Sequence, residues 1–204
     1  MNNKKIHIVL LLLFGAILLW SVIKPFDMFT WVLEVLPALL GLIFLIAFYP
    51  KFKFTNFVYI MILIHCSILI IGGHYSYAKM PLFDYIKDIF DLQRNYYDRL
   101  GHFSQGFFPA LVIREVLIRN RVVQGKGWLS FIVASITLSI SALYELVEFA
   151  TAKIFGGSAD DFLGMQGDIW DSQWDMTFAL IGAVTALLLF SKLHNKFIQK
   201  SMNS

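Results

Sequence analysis

The chain has 204 residues, 58% of them hydrophobic and 15% charged, with a formal net charge of +3. A soluble domain is nearer half apolar and a quarter charged, so this composition points to a membrane protein and excludes a large soluble domain. The charge is too small, and the basic residues too scattered, for a nucleic-acid partner. Membrane lipid is the partner the composition names, and protein partners stay open. The one cysteine, Cys66, excludes an intrachain disulfide and reads as a small buried hydrophobe.

A span needs about 20 apolar residues, and six candidates follow in order at 6–23, 29–49, 57–73, 102–120, 128–150 and 173–191. The expected fold is an all-α polytopic membrane helix bundle, one integral membrane domain over 1–204. The first span follows Lys4 and Lys5 as a signal peptide would. Its end, "LLWSVIK", offers no small-residue cleavage site, so it reads as an uncleaved helix. The fourth span is interrupted by His102, Gln105, Pro109, Arg114 and Glu115. Before it, "MPLFDYIKDIFDLQ" (80–93) has apolar residues at 82, 83, 86, 89 and 90 and Pro81 at a helix start. That pattern predicts an amphipathic helix lying at the outer surface. Before the sixth span, 151–172 carries the Gly-rich loop "FGGSADDFLGMQGD". With the N-terminus inside, eleven of the 17 Lys and Arg fall on inner segments and six on outer ones. This asymmetry predicts that both termini are cytoplasmic.

Under that topology the unusual polar residues collect on the outer side. His74, Tyr75 and Tyr77 end span three, while Asp98, Arg99, His102 and Gln105 enter span four. Tyr144, Glu145 and Glu148 lie near the end of span five. Asp160, Asp161, Gln166, Asp168, Asp171 and Asp175 lead into span six. A carboxylate at mid-bilayer costs about 2.5–3.5 kcal/mol on insertion scales. Asp171 and Asp175, like Glu145 and Glu148, share a helical face and must therefore turn into the bundle. Glu145 extends the stripe begun by Ser141 and Tyr144. Trp170 and Trp174 fit an interfacial aromatic belt.

The bland reading is that Arg94 and Arg99 neutralise these acids while Asp168 caps span six. Eight outer acids against two arginines and Lys153 leave an excess that water, protons or a cation must balance. His74 and His102, with Glu145, Glu148, Asp171 and Asp175, could offer mixed nitrogen and oxygen ligands to a divalent metal, His74 and Asp171 being the ligand candidates. No spacing such as H-E-x-x-H is present, so this is a collection of donors and not a motif. His65 in mid-span predicts a bond to a neighbouring helix, and His7 and His194 read as interfacial. Arg114, Glu115 and Arg119 read as inner-side ion pairs and topology signals. Ser76 and Ser104 lack a nucleophile-elbow setting, and Gly72-Gly73 and Gly156-Gly157 are not phosphate loops.

The stretches "GGHYSYAKMP", "RNYYDRLGHFSQGFFPALVIREVL", "SALYELVEFATA" and "DDFLGMQGDIWDSQWDMTFALIGA" closely resemble the YjdF-like family of bacterial inner-membrane proteins, over about residues 57 to 190. That resemblance implies an inner-membrane location and brings no reaction with it. A more distant likeness is to the VanZ-like membrane proteins. Asp98, Arg99, His102 and Phe103, the pair Tyr144-Glu145, and Asp175 followed by Gly182-Ala183 match their pattern. Ala179 departs from it, standing where those proteins often have Asn. This likeness implies a role at the cell envelope.

Three functions accommodate an outer acidic and histidine pocket. One is an enzyme or binder for a cell-envelope or lipid-linked substrate. In it His102, Glu145, Glu148 and Asp175 would be the catalytic groups, and Arg99, Tyr144, Gln105 and Gln166 would hold the substrate. The second is an ion-coupled transporter, against which stand the lack of internal repeats and of a polar path. The third is a non-catalytic envelope protein that binds a partner.

Overall fold

The computed structural model of the chain describes residues 3–156, 162 and 164–203. All regular elements among them are helical, as the apolar runs require. Hydrocarbon offers no water to backbone N–H and C=O groups, so a span must close its hydrogen bonds on itself. The helices are α1 (Asn3–Ser21), α2 (Met28–Phe48), α3 (Asn56–Tyr75), α4 (Pro81–Ile89), α5 (Tyr97–Arg119), α6 (Lys126–Phe155) and α7 (Asp171–Met202). A single 3-10 turn covers Tyr77–Lys79. Helices α1, α2, α3, α6 and α7 are long and apolar enough to cross a bilayer. The chain is thus the all-α membrane bundle its composition predicts.

Helix α5 differs. Its 23 residues reach about 35 Å at 1.5 Å per residue, yet it carries Asp98, Arg99, Arg114, Glu115 and Arg119. It holds them because it is the hub, packed against α3, α6 and α7. Thirteen of its residues are buried, these charges except Arg119 among them. The polar groups therefore meet protein and not lipid.

Helix α3 joins two halves. Against α1 and α2 it buries Cys66 and Ile70 with Phe14, Val35 and Ala38. Its start packs Phe57 and Val58 with Phe107, Leu111, Val133 and Ala183 of α5, α6 and α7. The closest pair is α5 with α7, and small residues make it possible. A Cβ on Gly106 would lie 1.8 Å from the Ala179 carbonyl oxygen, and one on Gly182 would lie 2.1 Å from that of Phe103. On the periphery Leu12, Leu19, Ile43, Leu143 and Leu188 are exposed, as lipid-facing residues should be.

Several boundaries differ from the sequence reading. Helix α5 begins at Tyr97, five residues before the expected start, so Asp98 and Arg99 are helical and Asp98 sits in the first turn, where the helix dipole favours it. Helix α6 runs on to Phe155, so the expected loop from 151 begins later. Helix α7 continues past 191 to Met202. Nothing in that stretch breaks it, and Phe197 stacks on Phe57 at 5.2 Å. An apolar window detects the part of a helix in hydrocarbon, not its end. The amphipathic helix is present as α4, with Pro81 in its first turn. Asp160 and Asp161 lie outside the described residues.

Candidate functional site

Spacing prepares the site within each helix. Asp98 and His102 on α5, Glu145 and Glu148 on α6, and Asp171 and Asp175 on α7 are each three or four residues apart, so each pair projects from one face. The mutual packing of α5, α6 and α7 then brings the three faces together.

One half of the cluster is an arginine–aspartate network. Arg94 donates to Asp171 Oδ1 at 2.7 Å and to Asp98 Oδ2 at 3.3 Å. Arg99 donates to the same Asp171 oxygen at 2.7 Å, to Asp98 at 3.2 Å, to Asp168 at 3.2 Å, and to Asp175. Arg94 also reaches the Gly164 carbonyl at 3.1 Å, which ties the loop ahead of α7 across the cluster. The pairing of Arg94 and Arg99 with these acids is thus observed. Asp168 does not cap α7 directly. Its Oδ1 accepts from Trp170 N at 2.9 Å, a turn just ahead of the helix.

The other half centres on His102, whose Nδ1 side meets no guanidinium among the described residues. His102 points Nε2 at Asp98 Oδ1, 3.5 Å away, and at Asp175 Oδ1, 3.7 Å away. Its Nδ1 faces Glu145 Oε1 at 3.9 Å, and both of those atoms are buried without a hydrogen-bond partner. Glu148 joins His102 and Glu145 in a group whose ligand atoms lie within 4.8 Å of one another. Tyr144 donates to Glu34 Oε2 at 3.3 Å and turns its ring edge to His102, 6.2 Å between centroids.

Glu34 is the residue that sequence reasoning missed. It is a buried carboxylate on α2, two turns in from the Asp27 cap. The signal was available, since it is the one acid inside an otherwise apolar span. Tyr77, expected on the outer side at the end of span three, lies beside Glu34. Its ring fills a slot between Gly72 and Gly101, where added Cβ atoms would lie 2.4 and 2.6 Å from it. Burial, with the Glu34 carboxylate beside it, pushes the Tyr77 phenol well above the usual range.

Other candidates are placed elsewhere. His74 is not part of the cluster: its Nδ1 meets the Ser21 carbonyl at 2.8 Å and its ring lies against Trp20 on α1. Asp171 lies in the arginine half of the cluster, where Arg94 and Arg99 share its Oδ1. Arg99 is not free for an anionic head group, having four carboxylates already. The Gln166 amide is occupied at both ends, accepting from Asn95 N and donating to Asn95 O, each at 2.9 Å. Gln105 stands about one turn further along α5 than His102, and its side chain makes no hydrogen bond among the described residues. His65 does bond a neighbouring helix, at 3.1 Å from Ser104 Oγ.

The side chains expected to line a polar pocket form a buried cluster. A cavity of about 440 Å³ is an apolar groove among α1, α2 and α3, with Lys4 and His7 among its lining residues. At the opposite end of α5 lies a second polar network. Buried Glu115 accepts from Thr55 N at 2.8 Å, Thr55 Oγ1 at 2.7 Å and Arg119 at 2.9 Å, and lies 3.1 Å from His194 Nε2. His194 is therefore no interfacial residue. It is fully buried between Glu115 and Arg114. His7 is likewise held, within 2.8 Å of both Tyr49 Oη and Asn56 Oδ1.

Comparison with known proteins places this architecture. Residues 6–196 match the family described as "Predicted membrane protein (DUF2238)". The chain is 42% identical over 184 residues to the inner membrane protein YjdF of Escherichia coli (strain K12), covering 90% of this chain and 88% of that protein. No solved structure matches. The VanZ-like likeness gains nothing from these matches, and two of its positions, Gly182 and Ala179, serve the close contact of α5 with α7. By a family match over nearly its whole length and this identity, the chain belongs to the DUF2238 family of membrane proteins.

Proposed function

We propose that this protein spans the inner membrane six times, α5 included, with both termini cytoplasmic, and that its buried polar cluster lies toward the outer side and acts on a cell-envelope or lipid-linked substrate. The similarity to the Escherichia coli inner membrane protein supports the location. The uneven distribution of Lys and Arg supports the orientation. One observation carries the substrate reading: His102 Nδ1 and Glu145 Oε1 are buried, unpartnered and 3.9 Å apart on the side of His102 that meets no guanidinium among the described residues. A group that handles a proton or a reacting atom needs a free lone pair, and leaving one buried is costly unless it is used.

The surroundings favour a substrate arriving from the bilayer. Helices α2 and α6 face each other through Glu34 and Tyr144, and through Phe29 and Phe155 at 5.1 Å, without the close backbone contact that joins α5 to α7. Leu143, Leu146 and Val147 of α6, close in sequence to Tyr144, are exposed. A lipid-tethered group could enter along that seam. Transport is less well supported. His102 and Glu115 stand 13 residues apart on α5, about 20 Å at 1.5 Å per residue, and buried Phe107, Ala110 and Leu111 lie between them.

The test is reconstitution of the protein into vesicles made from envelope lipid extract, followed by mass spectrometry of the lipids. Wild type is expected to consume or retain a lipid-linked species that His102→Gln and Glu145→Gln leave untouched. Identical lipid profiles for the three proteins would refute the reading.

A further inference from the structure

We propose that His102 Nδ1, Glu145 and Glu148 form a binding site for one divalent first-row transition ion such as Zn²⁺. The site rests on the envelope-substrate reading for its purpose, but its geometry and its test stand apart from any substrate.

Both nitrogens of His102 face carboxylates, and the two faces differ. On the Nε2 side, Asp98 and Asp175 already meet Arg99, so a metal there would confront a guanidinium. That side supplies instead what a ligating histidine needs, an acceptor for its second N–H, and Arg94 and Arg99 hold Asp98 in place for it. With the proton on Nε2, the Nδ1 lone pair faces Glu145, and Glu148 completes the group. Three electron-rich groups then converge in a buried space with no cation of the protein among them. A second proton on Nδ1 would give an ion pair with Glu145 at 3.9 Å but no hydrogen bond, and it is the competitor that a bound ion must displace.

An ion does resolve it. Ligands at about 2.0–2.2 Å from a tetrahedral metal stand about 3.3–3.6 Å apart, so atoms within 4.8 Å of one another close on it by drawing together by up to about 1.5 Å, a side-chain adjustment. One imidazole with two carboxylates suits Zn²⁺ or Mn²⁺ better than Mg²⁺, which prefers oxygen and water. The set draws on α5 and α6, so the ion would also tie those helices together.

The test uses full-length protein purified in detergent with chelator, reloaded with Zn²⁺ and desalted. Wild type and the control Asp88→Asn, an exposed acid on α4, should retain one equivalent by elemental analysis and melt higher than with chelator. Glu145→Gln and Glu148→Gln should lose retention while melting in chelator as the wild type does. Asp98→Asn should weaken affinity about 10–100-fold, as loss of the group orienting a ligand does. Excess Mg²⁺ should not displace the Zn²⁺. Metal-free wild type, Glu variants that retain the ion, or displacement by Mg²⁺ each overturn the proposal. If wild type processes a lipid-linked species without metal, the metal proposal fails and the substrate reading stands.

Discussion

Arg99 is buried with four carboxylates within 3.2 Å, and that crowding decides what each acid can do. The guanidinium fork meets several acceptors at once, which a lysine ammonium on its flexible stem would not. Removing one partner of a buried ion network leaves charge with no compensation, at a cost of about 3–5 kcal/mol. Arg99→Gln should therefore lower the melting temperature sharply in detergent. Lys87→Gln, which breaks an exposed pair with Asp84 at 3.7 Å, should cost about 0–1 kcal/mol. Equal melting of the two variants would show that the network is solvated and not structural. At the same scale lies the clearest gap in the sequence reading. His74 and Asp171 carry suitable donor atoms, and the structure sets them beside α1 and the arginines.

Between elements, the contact of α5 with α7 sets the geometry of the cluster. Gly106 and Gly182 allow backbone to meet backbone, and that approach holds Asp98, Arg99 and His102 against Asp171 and Asp175 one to two turns away. Gly106→Ala would push a methyl into the Ala179 carbonyl at 1.8 Å, and the obstacle is backbone, which cannot swing aside. Overpacking of ordinary side chains costs about 1–3 kcal/mol, and this clash should exceed that range. Gly15 on α1 is the internal control, with nothing within 4 Å of an added Cβ. Gly15→Ala should be neutral or slightly stabilising, because alanine is the better helix former. Melting curves and monodispersity in detergent read both. A Gly106→Ala protein as stable as Gly15→Ala would mean that the two helices do not meet as described.

For the whole molecule, the open quantity is orientation. Charge asymmetry predicts that the turn before α7 faces outward and the end of α7 faces the cytoplasm. Cys66 is buried and free, so Cys66→Ala provides a background for single-cysteine labelling. Ile169→Cys, at a position 81% exposed, should react with an impermeant thiol reagent in intact cells. Asn203→Cys should react only after lysis. The reverse pattern would invert the topology and put the cluster on the cytoplasmic side.

By itself the sequence determined that this is a helical membrane protein and which residues are out of place in it. Both conclusions come from local quantities: a run of apolar residues long enough for a bilayer, backbone groups with no alternative to a helix, and the energetic cost of each buried charge. It also marked His102, Glu145, Glu148 and Asp175 as members of one group, because the charge asymmetry puts them at the outer ends of their helices and the cost of facing lipid turns them inward. Only the tertiary structure decided how that group divides. It joined Glu34 from a distant helix, turned His74 away toward α1, closed Gln166 onto Asn95, gave the arginines to the aspartates, and set His102 between aspartates on its Nε2 side and Glu145 on its Nδ1 side. No local window contains that division. It depends on which faces meet when α5, α6 and α7 pack, and on the few glycines that let them approach.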